Sequence, residues 1–186
     1  PMMKPDETYW MSVKAQYPIE PGVTYLNNGS FGPCPAPVLE ASTNYFRTLE
    51  TNPQRYLGEY HRLVAKSKQL LAGFVGADVG ELVYITNVTV GMNMIAHGLD
   101  FLKPGDEIVT TSQEYGAVRN VWDYTSRKRG MRLTTAELPT PPESSSDIVE
   151  RIFGACTPET KIIVMSHITS PTGMILPVKE ICKRAG

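Results

Sequence analysis

The stretch GDEIVTTSQEYGAV, residues 105–118, has the pattern of a short buried strand that leads through a polar loop into a helix. Gly105 follows Pro104, and this pair predicts a turn before the apolar run EIVTT at residues 107–111. After the loop, apolar residues recur at helical spacing until Gly130, where the predicted helix ends. A strand followed by a helix is the unit from which parallel sheets are built.

The same order occurs on both sides of this stretch. Strands are predicted at residues 82–86, 107–111, 131–138 and 161–169, and a helix follows each of them. Ser145 or Ser146 is predicted to cap the third of these helices, and Pro177 begins the last. Four strand-then-helix units in succession predict an α/β fold with a mainly parallel sheet and helices on both faces.

The N-terminal part of the chain has a different pattern. Six prolines before residue 36 predict an irregular arm over residues 1 to about 33. Apolar residues then predict one helix that Asn52 and Pro53 end, and a second helix that ends near Gly76. The chain is therefore divided into an N-terminal arm and helix, residues 1–57, and the beginning of a large α/β domain, residues 58–186.

Composition excludes several classes of partner. The chain has 186 residues, 41% hydrophobic and 20% charged, and its net charge of −1 predicts no binding of nucleic acid or of an anionic membrane. No apolar run approaches the roughly 20 residues that cross a bilayer, and the N-terminus lacks signal-peptide order, so a cytoplasmic location is expected. Three scattered cysteines predict neither a disulfide framework nor a metal site.

The loops that leave the strands are predicted to carry the function, because ligands of parallel sheets bind at the carboxyl ends of the strands. Three such loops are TNVTVG at residues 86–91, TSQEYGAV at residues 111–118 and SHITSPTG at residues 166–173. None of them has the glycine spacing that dinucleotide binding or a P-loop requires.

The first of these loops suits a single phosphate group. The backbone amides of Val88, Thr89 and Val90 begin a helix, and together with the Thr89 hydroxyl they are candidate donors to a dianion. The alternative is that Asn87 or Thr86 only caps this helix.

The other two loops add a flat ring and hydroxyl groups. Tyr115, beside Gly116, can stack on another ring, although an aromatic residue at a strand end is often part of the core. Thr169 and Ser170 present hydroxyls before a turn, which taken alone is a common turn. Together the three loops offer what a phosphorylated aromatic ring requires.

Four motifs carry a resemblance to a known family, and they are YLNNGSFGP at residues 25–33, ITNVTVGMN at 85–93, GDEIVTTSQEYGAV at 105–118 and HITSPTGMILPVKEICKRAG at 167–186. In this order they resemble the N-terminal part of class V aminotransferase-fold enzymes that depend on pyridoxal 5′-phosphate (PLP), in particular the isopenicillin N epimerase-like branch, with cysteine desulfurases as cousins. The resemblance implies a three-layer, fold type I large domain that is incomplete in this chain. It also implies that residues 1–57 belong to an entry arm or small domain, and that strand 82–86 lies across the sheet from the other three strands, with later strands between.

The resemblance further implies roles for individual residues. Asn87, Val88 and Thr89 correspond to the phosphate-binding corner, where Val88 contributes only a backbone contact. Tyr115 stands where the cousins carry a ring-stacking histidine, and Ser170 stands where other relatives carry an asparagine that bonds the 3′ oxygen of the cofactor. Residues implied to line the substrate entrance are Asn27, Asn28 and Gly29. Glu114 is implied to help place the Tyr115 ring, the alternative being a solvated acid.

The implied function is that of a homodimeric enzyme acting on an amino acid or amino-acid-like substrate through an external aldimine, as an epimerase, a C–S lyase or an aminotransferase. In the family the Schiff-base lysine and the acid beside the pyridine nitrogen follow the segment that ends here at Gly186. Both are therefore expected in the remainder of a longer polypeptide or in a complementary chain, and the 186 residues alone are expected to be inactive.

Two alternatives of other classes remain open at this point. One is a non-catalytic split subunit or assembly module of the same fold. The other is a protein that binds a nucleotide or a phosphorylated metabolite, which the missing glycine loops disfavour.

Overall fold

The computed structural model describes residues 6–186, and the chain divides into two compact units between Val83 and Tyr84. Residues 1–5 of the predicted arm lie outside the described residues. The boundary predicted between residues 57 and 58 falls inside a helix, Pro53–Val75. The assignment of residues 1–57 to an entry arm or small domain stays a prediction about the longer fold.

The N-terminal unit consists of helices, named α1 (Glu7–Lys14), α2 (Asn28–Phe31), α3 (Ala36–Thr51) and α4 (Pro53–Val75), with a 3₁₀ turn at Val79–Glu81. Helices α3 and α4 confirm the two helices predicted here. Asn52 separates them, and its side chain accepts a hydrogen bond from the Arg55 amide at 3.1 Å, which caps α4. Gly76 ends α4 in the left-handed conformation, with a φ of 71° that favours glycine.

The prediction that the chain is irregular up to about residue 33 is wrong where α1 and α2 form. Residues 6–17 contain no proline, so nothing in this window interrupts a helix. The Asp6 carboxylate accepts a hydrogen bond from the Tyr9 amide at 2.9 Å, and Glu7 and Lys14 place charges that complement the helix dipole. Local capping therefore stabilises a two-turn helix between the prolines.

The C-terminal unit alternates helices and strands in the order α5 (Val88–Gly98), β1 (Glu107–Thr111), α6 (Gly116–Arg129), β2 (Arg132–Ala136), α7 (Ser145–Gly154), β3 (Thr160–Ile163) and α8 (Val178–Ala185). The three strands are parallel and lie in the order β2-β1-β3, with Ile108 of β1 between Leu133 of β2 and Ile162 of β3. The predicted parallel α/β fold is confirmed for these strands.

Helices cover both faces of the sheet because successive residues of β1 point to opposite sides. On one face, Ile108 packs in a core with Ala96 of α5 and Trp122 of α6. On the other face, Val109 packs in a second core with Ile152 of α7 and Ile181 of α8. All five residues of β1 are buried, which explains why its sequence is not an apolar–polar alternation.

The strand predicted at residues 82–86 does not form in the structure. Leu82 has extended backbone angles, but this segment does not join the sheet of β1, β2 and β3, and Val83 and Ile85 are exposed. An extended segment becomes a strand only when a neighbour accepts and donates its backbone hydrogen bonds. The observation agrees with the implied position of this segment across the sheet, where its neighbours would come from residues other than those described.

Three further boundaries differ from the predictions. Strand β2 is shorter than residues 131–138, and β3 ends at Ile163, although the Val164 amide still donates to the Val109 carbonyl of β1 at 2.8 Å. The cap of α7 is Ser144, whose hydroxyl accepts a hydrogen bond from the Asp147 amide at 3.1 Å, and not Ser145 or Ser146. Three adjacent serines share the same capping chemistry, so local sequence does not distinguish between them.

Glu107 fixes the amino ends of the three strands. Its side chain is 1% exposed, and one oxygen accepts hydrogen bonds from Arg132 at 2.9 Å and from Thr134 at 2.7 Å. The other oxygen accepts from Thr157 at 2.6 Å and from Thr160. Burial acts to raise the pKa of Glu107, but these four hydrogen bonds outweigh it and lower the pKa from 4.5 to about 2. Glu107 therefore stabilises the fold in its charged form.

We expect Glu107→Gln to lower the free energy of unfolding at pH 7 by about 2 kcal/mol, after discounting for solvent near the half-exposed Arg132. Because the folded pKa is depressed, the contribution of Glu107 is present above pH 4.5 and is lost as the pH falls toward about 2. Urea unfolding monitored by the fluorescence of buried Trp122 measures both effects.

Glu159→Gln is the matched control for this prediction. The Glu159 carboxylate also faces Arg132, at 4.0 Å, but it is 55% exposed, so its removal should change stability by less than about 0.5 kcal/mol. Equal losses in the two variants would contradict a special role for Glu107.

Candidate cofactor site

The first helix of the C-terminal unit begins with donors that no part of the described chain uses. The Asn87 side chain caps α5 by accepting a hydrogen bond from the Val90 amide at 3.0 Å. Within residues 6–186, the amides of Val88 and Thr89 and the Thr89 hydroxyl have no hydrogen-bond acceptor. The prediction that Val90 also donates to a phosphate is wrong, because its amide is occupied by the cap. Asn87 does cap the helix, and two amides and one hydroxyl remain for an anion.

Helices α5 and α6 begin at the same edge of the sheet. At their other ends, the Arg129 guanidinium donates to the carbonyls of Leu99 at 3.2 Å and Leu102 at 2.7 Å, which ties the end of α6 to the residues that follow α5. Along their length the helices share a core in which Met92 and Ala96 lie with Val118 and Trp122. Both helix starts, and with them Thr89 and Tyr115, therefore lie toward the carboxyl edge of the sheet.

Tyr115 precedes α6 and carries its ring at the exit of β1. The residue is 39% exposed, and among the described residues its ring stacks on no other ring and its hydroxyl has no partner. A Cβ placed on the neighbouring Gly116 would meet no atom within 4 Å, so the space beside the ring is open. Its exposure argues against the alternative that Tyr115 is a core residue.

Ser170 lies at the turn of a short hairpin that follows β3. Ile168 and Ile175 pair in antiparallel fashion, and Gly173 adopts a φ of 66° that allows the turn. Thr169 is 2% exposed, and its hydroxyl accepts a hydrogen bond from the Met174 amide at 3.0 Å. The Ser170 hydroxyl has no partner among the described residues. Thr169 thus supports the hairpin, and Ser170 is the residue that offers a free hydroxyl.

Gln113 and Glu114 connect these loops, and the sequence predicts no role for Gln113. Gln113 donates a hydrogen bond to Thr140 at 3.1 Å and accepts one from Thr172 at 3.2 Å. Glu114 is 6% exposed and accepts from the Tyr115 amide at 2.7 Å and from the Ser166 hydroxyl at 2.6 Å. Burial this deep argues against the solvated-acid alternative for Glu114. Polar residues after a strand predict a loop, and only the fold shows that these side chains reach three segments.

The predicted substrate residues lie in the other unit. Asn27 precedes α2, Asn28 and Gly29 belong to it, and all three are exposed. The hydroxyl of Tyr25 donates to the Phe31 carbonyl and so closes this segment on itself. Their place at a substrate entrance stays a prediction. The apolar cleft of this unit, between α3 and α4, is lined by Tyr45, Tyr56, Tyr60 and Leu63 among others, away from the predicted cofactor residues in sequence.

The carboxyl edge fits a phosphorylated ring by its donor set. Two free amides and the Thr89 hydroxyl at the start of an 11-residue helix suit a phosphate dianion. The exposed Tyr115 ring suits a flat partner, and the Ser170 hydroxyl suits a ring oxygen. Within residues 6–186 no group of three or more His, Cys, Asp or Glu residues could hold a metal ion, and no helix is long and apolar enough to cross a membrane.

Comparisons with known proteins identify the family to which the chain belongs. The profile of the family described as aminotransferase class V matches residues 24–186. An isopenicillin N epimerase of Amycolatopsis lactamdurans is 35% identical over 181 residues, which is 96% of this chain and 45% of that protein. A probable cysteine desulfurase of Pyrococcus abyssi is 27% identical over 92% of this chain and 43% of that protein. The chain therefore spans less than half the length of these relatives.

Solved structures show the same fold. A lysine-to-alanine mutant of C-DES, with glycine covalently linked to its PLP cofactor, superposes with a TM-score of 0.81 at 25% identity. The superposition covers 97% of this chain and 45% of that structure.

We expect Thr169→Val to destabilise the hairpin by about 1–3 kcal/mol, because the Met174 amide loses its acceptor. Faster hydrogen exchange at the Met174 amide and a lower free energy of unfolding would both report this loss. The neighbouring Ser170→Ala is the control, and it should leave stability unchanged, because that hydroxyl is exposed and unbonded in the chain. A loss as large in Ser170→Ala would show that Ser170 is structural and not free for a ligand.

Proposed function

The chain belongs to the class V aminotransferase family, and on that premise we propose that it forms the phosphate-, ring- and 3′-oxygen-binding part of a PLP-dependent enzyme that acts on an amino acid or an amino-acid-like compound. The family and the fold predicted from the sequence are confirmed. One observation carries the proposal for the site: the Thr89 hydroxyl, the Tyr115 ring and the Ser170 hydroxyl all lie toward one edge of the sheet and have no partner in the described chain.

The residues of this chain would bind and orient the cofactor. Val88 and Thr89 donate to its phosphate at the start of α5, where the helix dipole favours negative charge. Tyr115 covers one face of its ring and restricts rotation about the phosphate anchor. Ser170 bonds the 3′ oxygen and so sets which edge of the ring faces the hairpin. PLP, when bound, draws electrons from the α carbon of an attached amino acid.

The proton-transferring groups are proposed to come from outside residues 6–186. Lys103, Lys128 and Lys161 lie before β1, at the end of α6 and at the start of β3, which is the opposite edge of the sheet. Lys179 and Lys183 belong to α8, and no lysine of the described chain lies on the three strand-exit loops. The lysine and the pyridine-nitrogen acid would be supplied by the remainder of the polypeptide or by a complementary chain, within a homodimer.

The reaction type follows from groups that this chain does not contain. Its higher identity to an isopenicillin N epimerase than to a probable cysteine desulfurase supports chemistry at the α carbon of an amino-acid-like substrate. Chemistry of the cysteine desulfurase type would need a nucleophilic cysteine at the site. Cys34 lies in the other unit, and burial raises the pKa of Cys156, which makes its thiol a weaker nucleophile at neutral pH.

The assembled protein consists of this chain and its complementary segment. We expect it to have an absorbance band at roughly 420 nm and to lose that band on treatment with borohydride. Mass spectrometry should then place the pyridoxyl group on a lysine outside residues 1–186. An assembled protein without colour would favour the alternatives, a non-catalytic assembly subunit or a protein that binds another phosphorylated metabolite. A pyridoxyl group on Lys179 would contradict the proposed division of roles.

We expect Thr89→Val to weaken PLP binding by roughly tenfold to a hundredfold, because a hydrogen bond to a charged group is lost without a change of volume. The dissociation constant is measured by titrating the assembled apoprotein and following absorbance. Thr43→Val is the control, since the Thr43 hydroxyl only donates to the Leu39 carbonyl within α3. Equal affinity in the Thr89 variant and the wild type would remove Thr89 from the phosphate site.

A further inference from the structure

Two residues in the loop after β1, Gln113 and Glu114, form a brace between Tyr115 and the hairpin that carries Ser170. Glu114 is 6% exposed, and its Oε1 accepts hydrogen bonds from the Tyr115 amide at 2.7 Å and from the Ser166 hydroxyl at 2.6 Å. Oε1 of Glu114 therefore bonds both Tyr115, the residue before α6, and Ser166 in the segment after β3. The bond to the Tyr115 amide holds the backbone from which the Tyr115 ring projects.

Gln113 holds the same hairpin at a second point. Its side-chain oxygen accepts from Thr172 at 3.2 Å, and its nitrogen donates to Thr140 in the loop after β2. The Thr172 hydroxyl also lies 2.8 Å from the Thr169 hydroxyl, which in turn bonds the Met174 amide. The hairpin that presents Ser170 is thus attached to the loop after β1 at two points, through Ser166 before the hairpin and through Thr172 in its turn.

Glu114 differs from the other buried carboxyl group of β1 and its exit. The oxygens of Glu107 share four donors, so that residue is satisfied within the chain. The Oε2 atom of Glu114 is buried and has no hydrogen-bond partner among the described residues. A buried polar atom without a partner costs free energy, and where it is retained it commonly belongs to a functional site. Both oxygens of Glu107 are therefore used within the fold, whereas Glu114 has one oxygen that is not, as expected for a residue of the proposed site.

The resemblance already implies that Glu114 helps to place the Tyr115 ring. Beyond that role, we propose that Gln113 and Glu114 are positioning residues that join the loop after β1 to the hairpin and so set the separation of the Tyr115 ring and the Ser170 hydroxyl. This inference rests on the proposed function, because both groups are taken to contact PLP. Glu114 acts through the Tyr115 amide and Ser166, and Gln113 acts through Thr172. A ring cofactor held at its phosphate by Thr89 needs both further contacts at a fixed spacing to adopt one orientation.

The test uses the assembled holoprotein and two readouts, the PLP dissociation constant and the circular dichroism of bound PLP in its visible band. Glu114→Leu keeps roughly the volume of the side chain and removes the oxygen that accepts from the Tyr115 amide and the Ser166 hydroxyl, so it should raise the dissociation constant by about tenfold and reduce the dichroism signal by at least half. Ser166→Ala removes the hydrogen bond from the Ser166 hydroxyl to Glu114. Gln113→Ala removes the hydrogen bond that Thr172 of the hairpin donates to Gln113. Each should change both readouts in the same direction by a smaller factor.

Glu107→Gln is the matched control, because it neutralises a buried carboxyl group at the opposite end of β1. It should lower stability and leave both PLP readouts at the wild-type values. Wild-type dissociation constants and dichroism in both Glu114→Leu and Gln113→Ala would overturn the brace while leaving the proposed function standing. A wild-type protein that binds no PLP would instead overturn the proposed function, and the two failures are therefore distinguishable.

Discussion

The parallel pairing of β1 with both β2 and β3 is the constraint on which the rest of the C-terminal unit depends. Every residue of β1 is buried, and the strand has a hydrogen-bonded neighbour on each side. A slip of one residue would exchange Ile108 and Val109 between two different cores, so the register is fixed by packing on both faces. The end of β1 at Thr111 therefore fixes where Tyr115 begins α6, and pairing with β3 fixes where the hairpin of Ser170 leaves the sheet.

The two ends of β1 use buried carboxyl groups for different purposes. At the amino end, four donors converge on Glu107, outweigh the effect of burial and hold its pKa at about 2, so the charged group ties three segments together. In the loop after the carboxyl end, one oxygen of Glu114 accepts two hydrogen bonds, and the other has no partner among the described residues. The first arrangement contributes stability, whereas the second holds loops in place at an edge that must also receive a ligand.

Sequence patterns predicted the strands β1, β2 and β3, the helices that follow them and the edge at which their exit loops meet, because these depend on periodicity and on the topology of parallel sheets. Three features could not be predicted, each for a physical reason. Residues 82–86 have strand propensity but do not join the sheet in this chain, and α1 depends on a single cap by Asp6. The Val90 amide is a candidate donor to a phosphate and the Thr169 hydroxyl precedes a turn, and the fold uses both internally. Which polar group is free depends on three-dimensional neighbours that local sequence does not encode.

The groups of the described residues that are proposed to contact the cofactor share one property: they can hold and orient a ligand. In the proposed site, backbone amides, hydroxyls and a phenol ring at the carboxyl edge would fix the phosphate, the face and the edge of a ring cofactor. A base with a pKa suited to moving a proton would have to reach the α carbon from residues other than these. Because orientation and proton transfer then reside on different parts of the fold, the same edge can serve epimerisation, C–S cleavage or transamination. The residues that face this edge from outside the described chain would decide which bond at the α carbon breaks.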